Sequence, residues 1–475
     1  MKKTLFILFL VINGMAFSQV PSVFFVDRNA FDAYPALKQM QPQSKQVAKK
    51  MPAMANIQKL LAEDKELASY GDFPFRFGYE FDVNYSLSDG TWEETEQERI
   101  WSLSVSSEGA YSLNFIFSEL KLKANAEIYI FNPDGRMVYG PITERQNIPQ
   151  DCKFFLTDLI AGDNVVIQLH EPKTAKDTSK LAISKVIHAY VNMFPTEAMT
   201  KAAKYDCHND VACYPAWKTE ANSVALILLS SGSYWCSGAL VNNTRQDKRP
   251  FFLSAFHCID TDSDPDNLSE EEINNAQNWA FRFHYKKTVC NGSTVYNYVT
   301  YNYAYFRSAW QPTDFLLMEL RNLTNAAENN IVFAGWDRSA SISPSGTGIH
   351  HPAGDLMKIS FDYDSLTSNS SPLYWTDNVI SPANTHWNVG YDNGTTEGGS
   401  SGSPLFNQNH RIIGQLHGGG TGCPPVTKRY GRFDKSWTGG GTNETRLSNW
   451  LDPINSNVTY LDCFDPNCTL TIMQR

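Results

Sequence analysis

The feature that most limits the fold of this chain is a succession of short apolar runs, alternating or continuous, cut by turn signals. Between Phe73 and Asn192 they include Ile100-Trp-Ser-Leu-Ser-Val, Tyr111-Ser-Leu-Asn-Phe-Ile-Phe and Glu127-Ile-Tyr-Ile-Phe, the last followed by Asn132-Pro-Asp-Gly. Successive strand residues point to opposite faces, so runs of this length and period are strands. They predict a β-sandwich over residues 73–195. Further runs follow to Trp450, among them Val224-Ala-Leu-Ile-Leu-Leu, Phe251-Phe-Leu, Phe315-Leu-Leu-Met-Glu-Leu and Arg411-Ile-Ile-Gly-Gln-Leu, with glycine-rich turns between them. Their spacing predicts a pair of Greek-key β-barrels over residues 207–456. The expected class is all-β, and 475 residues, 42% hydrophobic, suffice for two or three cores.

The ends carry different information. Lys2-Lys3, the apolar run Leu5 to Val11 and the small and polar residues through Gln19 have the layout of a secretory signal peptide, residues 1–19. Residues 20–72, rich in Ala, Lys, Gln and Met, read as a precursor arm. Residues 196–206 read as a linker and processing site, with Lys201 and Lys204 as the places to cut, and 457–475 as a short tail. No later stretch approaches the roughly twenty apolar residues of a membrane helix. A net charge of −10 without a basic block gives a nucleic-acid partner no electrostatic support. Nine cysteines in an exported chain point to disulfides, and all but Cys152 lie at or beyond Cys207.

Three stretches carry chemistry. In Glu397-Gly-Gly-Ser-Ser-Gly-Ser-Pro404, glycines surround a serine in a way that suits a tight turn with inward-facing amides. Ser400 and Ser403 are rival nucleophiles, but only Ser401 has a glycine two before it and one after it. Phe252-Leu-Ser-Ala-Phe-His-Cys258 sets His257 at the end of an apolar run, and Asp314 directly precedes the apolar run Phe315 to Met318. Each alone has a plain reading: a flexible loop, a packed histidine, a strand-edge acid. Together they stand in the order His, Asp, Ser of chymotrypsin-type enzymes. In such a triad Ser401 attacks, His257 takes its proton, Asp314 holds the imidazole, and the amides of Gly399 and Ser401 bind the oxyanion.

With those words on the page, the chain resembles the bacterial lysyl endopeptidases, a branch of the chymotrypsin-like serine peptidases. The resemblance is carried by Cys236-Ser-Gly-Ala-Leu-Val-Asn-Asn-Thr244, Ser254-Ala-Phe-His-Cys258, Thr313 to Leu320, Ala334-Gly-Trp-Asp-Arg338, Gly398 to Pro404, Gly414-Gln-Leu-His-Gly-Gly419, Ser436-Trp-Thr-Gly-Gly-Gly441 and Trp450-Leu-Asp-Pro453. It implies a secreted serine endopeptidase made as a precursor, with the upstream β-rich half as propeptide. It also implies disulfides Cys207–Cys423, Cys213–Cys290 and Cys236–Cys258, leaving Cys463 and Cys468 as a further candidate pair. His417 and Gly418 match positions beside the substrate cleft, where an aromatic residue, Trp375 or Trp387, stacks on the histidine. Polypeptides are the substrates implied and the chain's own propeptide is the partner. No cofactor is implied, His350-His351 lacks further ligands at metal spacing, and a monomer is expected.

Two departures from the family pattern matter. The aspartate that trypsin-like enzymes place directly before the nucleophile is Ser400 here, so control is expected to lie with the propeptide instead. The aspartate that lysyl endopeptidases carry two residues before Tyr-Gly-Arg is Lys428, and the trypsin pocket position is Thr395. Either Lys428 points into the pocket and favours acidic substrates, or the loop turns it to solvent and leaves a neutral pocket or one served by Glu397 or Asp434. A peptide-binding pseudoprotease would lack a triad member, and a β-sandwich adhesin would keep residues 73–192 after secretion.

Overall fold

The pairing of the apolar runs closes two barrels, seen here in a computed structural model. It describes residues 19–24, 48–54, 56–70, 73–174, 178–194 and 206–467, the last range apart from 263, 265–266, 293–297, 324, 376–378, 421 and 424–425. In the first barrel the strands are Val224–Leu228, Tyr234–Val241, Phe251–Ala255, Ala280–Phe283, a fifth run broken at Tyr303 into Val299–Asn302 and Ala304–Trp310, and Phe315–Leu320. The break lets the fifth run pair with the fourth strand by its first half and with the sixth by its second. The ring closes in the order 1-2-3-6-5-4, a Greek key.

The second barrel repeats the order with Gly346–His350, Lys358–Asp362, His386–Val389, Pro404–Phe406, Arg411–Gly419 and Lys428–Arg432. Its second and third strands meet through the bridge Phe361–Asn393. The third strand of the first barrel explains why its apolar run is unbroken. Phe252 and Ala255 enter that barrel's own core, while Phe251 and Leu253 pack in the seam with Trp336, Ile349, Phe406 and Ile412 of the second half. Both faces of the strand are buried, and its one polar residue, Ser254, is satisfied by donating from Oγ to Ser237 O at 2.9 Å.

Upstream lie two antiparallel sheets. One contains Glu98–Ser106, Asn164–Pro172, Glu127–Phe131 and Met137–Ile142, and the other Ser112–Lys121, Lys180–Ala189 and Gly78–Ser86. Trp101, Leu103, Phe115, Phe117, Ile130, Ile167 and Ile183 from the two sheets share one core. The segment read as an arm is woven into this body. Val20–Phe24 pairs with Met137–Ile142 on one side and Val299–Asn302 of the first barrel on the other. The helix Ile57–Tyr70 follows.

A buried ion pair fastens the upstream body to the barrel. Arg282 Nε donates to Asp158 Oδ2 at 2.9 Å, Thr300 Oγ1 donates to the same oxygen at 2.6 Å, and the guanidinium lies over the rings of Trp235, Tyr285 and Tyr298. Removing one partner of such a pair while the site stays dry costs about 3–5 kcal/mol. The segment read as a short tail carries a strand, Tyr460–Leu461, which pairs with Gly335–Asp337.

Candidate active site

The residues read as a candidate triad sit at or beside strand ends. His257 lies in the short turn Phe256–Cys258 after the third strand of the first barrel, and Asp314 just before the sixth. These strands are paired with Ala255 opposite Phe315, so the turns meet. The His257 ring donates from Nδ1 to Asp314 Oδ2 at 2.9 Å, and its backbone amide donates to Oδ1 at 2.9 Å. Two bonds from one residue fix both carboxylate oxygens. Asp314 is 2% exposed, and burial pushes its carboxyl upward against the opposing pull of His257. Its φ of 56° is in the left-handed region, which aspartate tolerates better than most residues.

The turn that carries Ser401 is pinned to the first barrel. Ser237 N donates to Ser401 O at 2.8 Å and Ser237 Oγ to Gly399 O at 2.8 Å. The neighbouring Cys236 is bonded to Cys258, the residue after His257, so the serine and histidine are referenced to one covalent link. Gly402, at φ 79°, has no room for a side chain, because a Cβ would meet Ser237 O at 2.6 Å and Ala255 N at 2.7 Å. Ser401 is fully buried, and its Oγ makes no hydrogen bond among the described residues.

The rival Ser400 is engaged elsewhere. Ser360 Oγ donates to Thr395 O, so it accepts from His350 Nε2, which leaves His350 Nδ1 to accept from Ser400 Oγ at 2.8 Å. Burial pushes the His350 imidazole well below its ordinary pKa, consistent with a neutral ring. Ser403 is buried, and its Oγ makes no hydrogen bond among the described residues.

Beside His257 stands a second histidine chain, of which sequence reasoning found only one member. Trp375, not Trp387, stacks on His417, with ring centres 3.6 Å apart. Trp387 instead donates to Ile413 O and lies under Arg432. Thr385 Oγ1 donates to Pro382 O and so accepts from His386 Nδ1; His386 Nε2 then accepts from His417 Nδ1 at 2.9 Å. Burial pushes His386 down to about 3 and His417 well below its ordinary value. His417 Nδ1 is also 3.9 Å from Asp314 Oδ2, and the nitrogens and oxygen of His257, Asp314 and His417 lie within 4.8 Å of one another. The Nδ1 atoms of both rings are already committed, to Asp314 and His386, so the group suits proton transfer better than holding an ion.

The pocket residues gather on the other side of the turn. Gly419 pairs with Lys428 on the neighbouring strand and Gly418 with Arg429. Lys428 is fully buried, and its Nζ donates to Thr396 O at 3.1 Å, next to the buried Thr395. The solvent-facing alternative for Lys428 is thereby corrected. Glu397 accepts from His208 Nε2 at 2.6 Å, and Asp434 binds Arg432 at 2.9 Å. His208 and His386 had no sequence signal beyond being histidines beside a cysteine and a tryptophan.

The three disulfides Cys207–Cys423, Cys213–Cys290 and Cys236–Cys258 are formed. Cys468, the signal segment, Lys201 and Lys204 lie outside the described residues. Among the described residues no helix is long and apolar enough to cross a membrane.

Part of the chain matches a known family. Residues 202–434 match the family described as lysyl endopeptidase, C-terminal domain. This region belongs to the lysyl endopeptidase family. A lysyl endopeptidase of Pseudomonas aeruginosa is 26% identical over 306 residues, covering 60% of this chain and 61% of that protein's length. Among solved structures, the MamO protease domain from Magnetospirillum magneticum aligns with 45% of this chain and 93% of its own, at 10% identity and TM-score 0.30. A thermostable serine protease, AL20, from an extremophilic microorganism aligns with 45% of this chain and 92% of its own, at 14% identity and TM-score 0.31.

Proposed function

We propose that this chain is the precursor of a secreted serine endopeptidase whose catalytic residues are Ser401, His257 and Asp314. The observation that carries the reading is the His257–Asp314 pair, held by two hydrogen bonds beside a glycine-bounded serine turn. Ser401 Oγ attacks the substrate carbonyl and His257 Nε2 takes its proton. The amides of Gly399 and Ser401 stabilise the oxyanion, and the leaving nitrogen receives the proton from His257. Water then hydrolyses the acyl-enzyme. Asp314 holds Nδ1 protonated throughout, which leaves Nε2 as the nitrogen able to take the serine proton. His417, stacked 5.5 Å from His257, limits where that ring can swing.

The pocket chemistry supports a departure from lysine preference. The buried ammonium of Lys428, bonded to Thr396 O, is proposed to be what a substrate side chain meets on entering between Thr395–Gly398 and Gly418–Gly419. A carboxylate is attracted there and a lysine repelled, so cleavage after Glu or Asp is the proposed preference. The upstream sheets are proposed as a propeptide, released by a cut after Lys201 or Lys204. Purified Ser401→Ala, correctly processed and folded, should hydrolyse no casein. Amino-terminal sequencing of the active form should begin between Ala202 and Cys207. Retention of Phe73 to Asn192 in the active form would reject the propeptide assignment.

A further inference from the structure

One stretch of the upstream body enters the catalytic centre itself. Gly399 N, the amide two residues before Ser401, donates to Phe73 O at 2.9 Å. From there the chain runs antiparallel along the second strand of the first barrel, with Phe75 opposite Trp235 and Arg76 opposite Tyr234. Phe77 N continues the ladder by donating to Ser233 O at 2.9 Å. That barrel strand contains Cys236, whose disulfide reaches the residue beside His257. A built Cβ on Gly398 would lie 2.9 Å from Phe73 O, and one on Gly399 3.2 Å from Phe75 Cβ, so this close approach depends on glycine at both positions.

We infer that the Phe73–Pro74 bond lies in the position of the bond to be cut, and that Pro74 keeps it whole. This rests on the endopeptidase reading above. A peptide bound by strand addition places its reacting carbonyl on the oxyanion amide and lays the following residues along the adjoining edge. The observed register does this with Phe73 on the acyl side, Pro74 on the leaving side and Phe75 next along the edge.

Cutting here requires Ser401 Oγ to bond to the Phe73 carbonyl carbon while its proton passes to His257. The C–N electron pair must then leave with the Pro74 nitrogen, which takes that proton, and water must release the acyl group. The ring of Pro74 puts a Cδ where other residues carry hydrogen. That methylene crowds the nitrogen His257 has to reach. The flanks hold the strap in place as well. Arg76 donates to Asp64 at 2.6 Å and Glu63 at 3.0 Å, and Phe77 stacks on Trp235 with ring centres 5.0 Å apart. An amine released between such anchors stays beside the acyl-enzyme, which slows net cleavage without preventing it. Phe73, moreover, offers no carboxylate to the pocket that holds Lys428. The strap is thus a bound substrate analogue with two mismatches, the wrong residue before the bond and proline after it.

The test uses the full-length chain carrying Pro74→Ala, or Phe73→Glu with Pro74→Ala, each with and without Ser401→Ala. Intact mass and amino-terminal sequencing follow the 73–74 bond, thermal unfolding in the Ser401→Ala background reports folding, and casein hydrolysis is measured on the processed wild type. Wild type should remain whole at 73–74. Pro74→Ala should yield a new amino terminus at position 74, the double variant should do so at least ten-fold faster, and Ser401→Ala should abolish both. An uncut bond in both variants, with unchanged unfolding midpoints and casein-active wild type, overturns the register. Cutting of wild type at 73–74 overturns the role of Pro74. A processed wild type that hydrolyses no casein defeats the endopeptidase reading instead, and this inference falls with it.

Discussion

Replacing Lys428 by aspartate reverses the buried charge beside Thr396 and, on the proposed pocket, should reverse the residue preferred before the cut bond. The side chain is fully buried, with Nζ donating to Thr396 O, so little water screens it. A substrate carboxylate about 4 Å from the ammonium gains about 4 kcal/mol at an effective dielectric of ~20, and a substrate lysine loses a similar amount. Dehydrating the incoming charge removes several kcal/mol of that gain. That cost falls on either charge and largely cancels between them, so the preference for a carboxylate over a lysine is at least about 4 kcal/mol, roughly 1000-fold in kcat/KM. Cleavage-site profiling of the processed enzyme on a denatured protein mixture reads this directly. Wild type should cut after Glu or Asp, Lys428→Asp after lysine, and Lys428→Met should lose the acidic preference while still cutting. Wild-type cuts almost exclusively after lysine would refute the electrostatic reasoning.

Three further outcomes follow from the same geometry. Asp314→Asn should lower kcat by about ten-thousand-fold if the tautomer argument of the serine-protease paradigm transfers, with little change in KM, as read by steady-state kinetics. Replacing both Cys236 and Cys258 by alanine should cost about 2–4 kcal/mol in denaturant unfolding and reduce activity besides, because the bridge references His257 to the strand that holds the Ser401 turn. Burial, with Glu272 and Asp262 nearby, pushes the Asp260 carboxyl up to about 7, whereas an unfolded aspartate titrates near ~3.9. The folded chain keeps a proton that the unfolded chain has released, so stability falls as pH rises through that window. Asp260→Asn should therefore raise Tm relative to wild type at pH 8 and not at pH 4.

Much of the candidate site was legible because its residues stand in diagnostic words. His257 precedes a cysteine, Asp314 precedes an apolar strand and Ser401 lies among glycines, and the chain order joined them. The barrel order was legible only as a class, since the closing step depends on the break at Tyr303, where φ is 71°. The direction of Lys428 depends on how the preceding loop returns Gly419 to its partner strand, which residue identity does not encode. The Trp375 partner of His417 was left open for the same reason. His386 escaped notice because its role arises from hydrogen bonds between strands distant in sequence. The Phe73–Arg76 strap was hidden more completely: its pairing with Gly399 and the Tyr234–Val241 strand is made by backbone, which leaves little side-chain signature beyond Pro74 itself.

The most direct test of the central claim is covalent labelling with an alkyl fluorophosphonate, which reacts with activated serine nucleophiles. The processed protein should gain one adduct, located by peptide mass analysis on Ser401, with hydrolysis lost in proportion to labelling. Ser401→Ala should gain none, and Asp314→Asn should label far more slowly. Unlabelled Ser401 in a protein that still hydrolyses casein, or hydrolysis undiminished in Ser401→Ala, would contradict the account.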